Sequence, residues 1–273
     1  MACKLLLSVL VFLVIQGNLY SQKVQRIDIE EDRLPAYGIF GSYNFISYKT
    51  DITQVPGVPN CCPEFIDGKG NSFSGGLSFE YPLLNFELFK LKTNLMFNIK
   101  GGVSGYTGQL KASEEDYIIL HDQPAKVGIS HNIDTRIYAF SLEPSFKYRI
   151  FKGFSISAGV NAGYVIVKRF SQAEVMVTPE NEGTFENGTR SRNEESGVIA
   201  DVTKILYHAT GGLHYEIPLN SKGTVWAEPE VFYSYQLNSF LQSDKWKINA
   251  IRAGLTVKYM PERSLATPLV PEK

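Results

Sequence analysis

Few residues in this 273-residue chain have the type and spacing to do chemistry. Carboxylates stand at Glu80, Glu143, Glu216, Glu228 and Glu230, and cations at Lys92, Lys100, Lys147, Arg149, Arg252 and Lys258. Two carboxylates held together can divide acid and base roles when their surroundings differ. Paired with lysines, the same groups serve instead as polar filling. His208 and His214, if both lie on one strand, are about 20 Å apart at ~3.4 Å per residue, too far to share a zinc ion. Cys61 and Cys62 are adjacent, between Pro59 and Pro63. Such a pair can close a strained, labile disulfide or stay as two thiols, and adjacency does not suit ordinary zinc spacing. No catalytic residue, metal ligand or cofactor site is assigned from these patterns. The near balance of 27 Lys+Arg against 28 Asp+Glu offers no electrostatic footprint for nucleic acid.

The elements that must position these residues are strands. Side chains alternate faces along a strand, and eight segments alternate apolar with polar. In Ser72 to Leu83, Phe73, Leu77, Phe79 and Tyr81 oppose Ser74, Ser78 and Glu80. In Phe154 to Val167, Ile156, Val160, Tyr164 and Ile166 oppose Ser155, Ser157 and Asn161. Tyr37 to Phe45, Leu91 to Val103, Ile137 to Phe151, Ile205 to Leu219, Val225 to Leu237 and Trp246 to Tyr259 repeat the pattern. Most exceed the roughly 5–6 residues of a soluble strand and meet the roughly 9–11 that a tilted strand needs to cross a bilayer. The expectation is an all-β fold, an eight-stranded antiparallel up-and-down transmembrane β-barrel. A hidden hairpin in a long connection would raise the strand number by two. The fold alternative is a soluble lipocalin-like barrel, whose greasy face turns inward to a ligand.

The domain organisation follows. Lys4 and the apolar stretch Leu5 to Ile15 read as a signal peptide over 1–21; 22–34 is a charged periplasmic lead-in, 35–260 the barrel and 261–273 a tail with three prolines. The connections alternate long and short. Tyr48 to Asn71, Tyr106 to Asp134 and Lys168 to Val202 read as long polar loops, the third as mobile and solvated. Leu84 to Lys90, Lys152–Gly153 and Asn220–Gly223 are short turns, and Phe240 to Lys245 is a short outer connection. Outer-membrane barrels have short periplasmic turns and longer external loops, which puts both ends of the chain in the periplasm.

An eight-stranded barrel is just wide enough for side chains to fill it. The polar faces therefore predict a lumen plugged by charge: Glu80, Glu143, Lys147, Arg149, Glu216, Glu228, Glu230, Arg252 and Lys258. Projecting the last hairpins places Glu216 near Glu228 and Glu228 near Lys258, a carboxylate pair bridged by a lysine.

The last strand carries Arg252-x-Gly254-x-x-Val257-x-Tyr259. This resembles the C-terminal insertion signal of outer-membrane barrels, which implies reading by the barrel-assembly machinery. Here the motif is followed by a tail. The mature chain as a whole resembles the small barrels of the OmpA/OmpX type. The Asn-Cys-Cys-Pro segment with Gly68 to Gly76 and Glu80-Tyr81-Pro82-Leu83 is similar to outer-membrane β-barrel domains of the Bacteroidota and Chlorobi. These resemblances imply a cell outer-membrane location and contact with outer-membrane lipid. His208-x-Thr210 also resembles the His-x-Ser of outer-membrane lipid A deacylases, but its face points inward. The expected function is non-enzymatic, a structural or surface-interaction role with an unknown extracellular or envelope partner met through the loops. A narrow channel for small solutes and a lipid-modifying enzyme are the alternatives.

Overall fold

A computed structural model describes residues 34–56, 64–83, 94–120, 123–151, 153–180 and 182–261. The signal peptide, almost all of the lead-in and tail, Cys61, Cys62, Leu91 and Lys92 lie outside the described residues. The fold is all-β. Its segments in chain order are β1 (Ala36–Ile52), β2 (Phe65–Pro82), β3 (Leu95–Gly105), β4 (Gly108–Leu120), β5 (Gln123–Phe151), β6 (Phe154–Thr178), β7 (Ser191–Val198), β8 (Ile205–Tyr215), β9 (Ile217–Pro218), β10 (Val225–Gln236) and β11 (Lys245–Tyr259).

Antiparallel pairing runs from β1 to β2, β3, β5, β6, β8, β10 and β11, and β11 pairs back onto β1 from Tyr37↔Tyr259 to Asp51↔Lys245. The sheet is a closed ring. β4 continues β3 in unbroken register against β5, and β9 continues β8 against β10. Neither adds a member to the ring, and β7 pairs only with the far end of β6. The ring so traced has the eight members named. Closure leaves no open edge within it, so the strands find their backbone partners within the sheet, as a bilayer core demands.

One end of the barrel is built from tight turns. Gly153, at φ +80°, links β5 to β6, and Gly223, at φ +68°, closes the Asn220–Gly223 turn. Both occupy the left-handed region that favours glycine. The Asn220 side chain accepts from the backbone N–H groups of Thr224 at 2.9 Å and Val225 at 3.2 Å, which locks that turn. This is the turn end; the other is the hairpin end.

At the hairpin end the structure overturns the loop reading. Among their described residues, Tyr48 to Asn71, Tyr106 to Asp134 and Lys168 to Val202 are largely strand. β5 runs 29 residues and β6 runs 25, well beyond the span of a bilayer. Beyond the ring, β4, β5, β6 and β7 form a four-stranded antiparallel sheet. The third connection is organised rather than loose. Arg190 donates to the carbonyls of Met176 at 3.0 Å, Pro179 and Glu182 at 2.6 Å, and Gly183 at 3.3 Å. Phe185 folds back on Val127, Ile129 and Met176 as a small second core.

The physical reason for the misreading is a polarity reversal along single strands. On β5 the outward face reads Asp134 and Arg136, then Tyr138, Phe140, Leu142, Phe146 and Tyr148. The inward face reads Ile129, Ile133, Ile137 and Ala139, then Ser141, Glu143, Ser145 and Lys147. Both faces exchange character at the same level, where a bulge interrupts the β5–β6 register between Tyr138 and Ala139. Past that level the outward face meets water and the inward face meets protein. The alternation continues, but with its sign inverted.

The outward face on the turn-end half is an apolar belt. Ile39, Leu77, Phe140, Val160, Leu213 and Leu255 are each more than two-fifths exposed. Tyr37, Tyr81, Tyr148 and Tyr259 are half-exposed near the turn end. Tyr164, Tyr207 and Tyr235 are half-exposed toward the hairpin end. Aromatic girdles flanking an apolar band match the two interfaces of a bilayer.

Candidate functional site

The lumen is where the charged residues meet, and strand alternation puts them there. Glu80 comes from β2, Glu143, Lys147 and Arg149 from β5, Glu228 and Glu230 from β10, Arg252 and Lys258 from β11, and Glu216 from the break between β8 and β9. Eight of these nine are buried and Arg149 is half-buried.

The turn-end cluster is built on two ammonium groups. Lys147 Nζ lies 2.5 Å from Glu80 Oε2, 2.7 Å from Glu228 Oε2 and 3.3 Å from Glu216 Oε1. Lys258 Nζ meets the same three carboxylates, at 2.7 Å from Glu216 Oε1, at 3.1 Å from Glu80 Oε2 and directly at Glu228 Oε2. The structure therefore brings Glu216, Glu228 and Lys258 together, and adds Glu80 and Lys147. Arg149 Nη2 takes the second oxygen of Glu216 at 2.8 Å. His214 donates from Nδ1 to Glu228 Oε1 at 2.9 Å, and its Nε2 meets the Ser157 hydroxyl at 2.8 Å.

Above it lies a second tier. Lys100 Nζ donates to Glu230 Oε1 and sits 4.7 Å from the Phe232 ring centroid and 5.1 Å from that of Phe40. Arg252 Nη2 bonds both oxygens of Glu143, at 2.9 and 2.8 Å, and the guanidinium stacks 4.8 Å from the same Phe232 ring. Asn161 Nδ2 donates to Glu143 Oε2 at 3.1 Å. Five carboxylates (Glu80, Glu143, Glu216, Glu228, Glu230) thus face five cations (Lys100, Lys147, Arg149, Arg252, Lys258). Unpaired buried charges cost several kcal/mol each, so pairing of this completeness is what burial requires.

The hairpin-end half of the lumen has the opposite chemistry, and it corrects the expectation of a plug made of charge throughout. Tyr48, Ile137, Leu206, Phe240, Trp246 and Ile248 are fully buried in one apolar cluster. The Trp246 ring stands edge-on to Tyr48 at 5.7 Å and to Phe240 at 5.1 Å. The Tyr48 hydroxyl donates to the Tyr106 carbonyl at 2.6 Å and meets Thr135 Oγ1 at 2.9 Å. The chain between β10 and β11 folds over this plug: Val202 bridges Leu241, and Thr203 N–H donates to the Phe240 carbonyl at 2.8 Å. Sequence reasoning missed these residues. Their signal was present: Tyr48 holds the same inward phase as Asn44 on β1, and Trp246 and Ile248 the same inward phase as Arg252, Thr256 and Lys258 on β11.

His208 lies at the junction of the two halves, buried and stacked on Tyr106 with ring centroids 5.6 Å apart. Its Thr210 neighbour is also buried. Glu80, Glu216 and Glu228 are close enough to hold a metal ion, as are His214, Glu228 and Glu230. In the first set the ammonium groups of Lys147 and Lys258 already occupy the shared position. On β11, Arg252 points inward, Val257 is half-buried and Tyr259 is exposed in the belt. A Cβ on Gly254 would come within 2.7 Å of the Gly41 carbonyl oxygen across the closing seam.

Closure, an outward apolar belt and a charged interior together define the class: the architecture is that of an outer-membrane β-barrel. No protein-family model and no curated protein matches the sequence. Among solved structures, the chain is similar to the attachment invasion locus protein Ail of Yersinia pestis, at 13% identity over 83% of this chain and 99% of that one, with a TM-score of 0.35. It is similar to the outer membrane protein OprG of Pseudomonas aeruginosa at 12% identity, over 86% of this chain and 100% of that one, with a TM-score of 0.36. Neisserial surface protein A matches at 8% identity, over 83% and 99% of the two chains, with a TM-score of 0.36. Such distant likeness carries nothing about activity.

Proposed function

We propose that this protein is a non-enzymatic barrel of the cell outer membrane, with a structural or surface-interaction role performed by the sheet at its hairpin end. The observation that carries the reading is the filled lumen. A paired charge network occupies one half and a packed aromatic plug the other, and the fold spends long strands on a sheet raised beyond the belt. A narrow channel would need a continuous polar path, and the cluster around Trp246 lies across it. A lipid-modifying enzyme would need an acid–base group at the belt, whereas the lumen carboxylates and His214 are turned inward and engaged with one another, and His208 is turned inward against Tyr106. On this reading the partner, extracellular or from the envelope, meets the β4–β7 sheet, and the Arg252 to Tyr259 seam is what the barrel-assembly machinery handles during insertion.

The test is planar-bilayer recording with the purified full-length protein, alongside mass spectrometry of the surrounding lipids after incubation. The expected result is no stepwise conductance and unaltered lipids. Reproducible single-channel steps would establish the channel instead, and deacylated or otherwise modified lipid would establish the enzyme.

A further inference from the structure

We propose that Arg136 and Arg169 form a clamp for the phosphate group of a lipid headgroup in the leaflet at the hairpin end. The inference rests on the membrane reading of the apolar belt.

The two residues are directly opposed across the β5–β6 ladder. Both are exposed on the outward face. Like charges placed opposite each other in a sheet repel and weaken it. No carboxylate among the described residues lies within 4.0 Å of either guanidinium. Asp134, the next outward residue along β5, is engaged by the Gln109 side-chain amide at 2.8 Å. No direct ion pair among the described residues relieves the repulsion, and its natural counterpart is an anion from outside.

Position identifies that anion. On β5, Arg136 is the first outward residue past Tyr138, below which Phe140 and Leu142 are exposed in the belt. On β6, Arg169 lies just past Tyr164 and Ile166, both about half exposed. Interfacial tyrosines sit at headgroup level, so the two guanidiniums stand where lipid phosphates lie. Guanidinium forks bind phosphate through paired hydrogen bonds, and two forks facing one another suit one tetrahedral anion.

A second like-charged pair helps to sort the candidates. Lys49 and Lys247 are directly opposed where β1 meets β11, across the ring. There the protein supplies its own compensation. Asp67 faces Lys49 in the β2 register, and Lys247 Nζ turns back to the Leu237 carbonyl at 2.6 Å and that of Gln236 at 3.3 Å. Neither arginine has a carboxylate directly opposite it, so the clamp is assigned to this pair alone.

The experiment uses full-length protein in phosphatidylcholine vesicles doped with phosphatidic acid, and counts retained phosphatidic acid by native mass spectrometry after extraction. At about one multiplicative factor of five per surface arginine, R136Q/R169Q is expected to lower its retention by roughly twenty-five-fold and R169Q alone by about fivefold, with K111Q unchanged. Equal retention by wild type and R136Q/R169Q overturns the clamp. So does equal enrichment of oleic acid, a carboxylate lipid of the same charge sign. Displacement of the bound lipid by millimolar inorganic phosphate would assign the site to free phosphate and overturn the lipid source. Should R136Q/R169Q fail to fold, R169Q decides by the same readout. Flotation of the wild type with the vesicles is scored first: a protein that does not float refutes the membrane reading itself, whereas one that floats without retaining phosphatidic acid refutes only the clamp.

Discussion

The two halves of the lumen solve one problem in opposite ways. Toward the turn end, lipid surrounds the barrel, so the outward positions are apolar and polar residues are left for the inside. They are buried there as a balanced set of ion pairs. Toward the hairpin end, water surrounds the strands, the outward positions become polar, and the inside is packed with Tyr48, Phe240 and Trp246 like the core of a soluble protein. The same strands serve both halves. What differs is the solvent outside, and the interior takes the complementary character in each case.

This contrast predicts that the halves break differently. The largest effect is expected for Lys147→Met, which removes one of two ammonium groups shared by Glu80, Glu216 and Glu228. Breaking a buried pair typically costs about 3–5 kcal/mol, so the thermal unfolding midpoint in detergent should fall sharply. Adding Glu228→Gln to Lys147→Met should recover part of the loss, and a loss that deepened instead would argue against charge compensation as the cause.

In the apolar half, Leu206→Ala should cost about 3 kcal/mol through a cavity that the packed plug cannot fill. Because an apolar cavity stays dry, the variant should remain non-conducting in planar bilayers. Conductance would mean that the plug holds water and that the contrast between halves is weaker than drawn. Tyr48→Phe sharpens the same half at a smaller scale. It removes the donor to the Tyr106 carbonyl and should cost about 1–2 kcal/mol, seen as faster amide exchange at Tyr106 and Thr135. The smallest effect belongs to the outward face of the raised sheet. Lys111 is exposed there, opposite Asn132, and Lys111→Ala should shift stability by less than about 0.5 kcal/mol. A larger shift would show that this face is not simply bathed in water.

Much of the architecture was legible because lipid enforces a simple code. Phe73, Leu77 and Tyr81 against Ser74, Ser78 and Glu80 read as one greasy and one polar face without any knowledge of neighbours. The same phase assigned Glu143, Lys147, Glu228 and Lys258 to the interior. The raised sheet was not legible by that code. At Leu110 to Ser113 and at Val127 to Asp134 the alternation persists, but Leu110, Ile129 and Ile133 point inward while Lys111 and Asp134 point out. A rule that expects apolar residues on the lipid side reads such a stretch as a polar loop.

The linear chain was enough to determine strand phase and which charged residues share the inner surface, because those depend only on alternation within one strand and on the medium outside it. Which ammonium meets which carboxylate, that Lys147 and Lys258 converge on the same three glutamates, and that Tyr48, Leu206 and Trp246 close the far half of the tube were decided by tertiary structure. These contacts join residues up to 178 positions apart, and their partners are set by register and closure of the ring, which no single segment encodes.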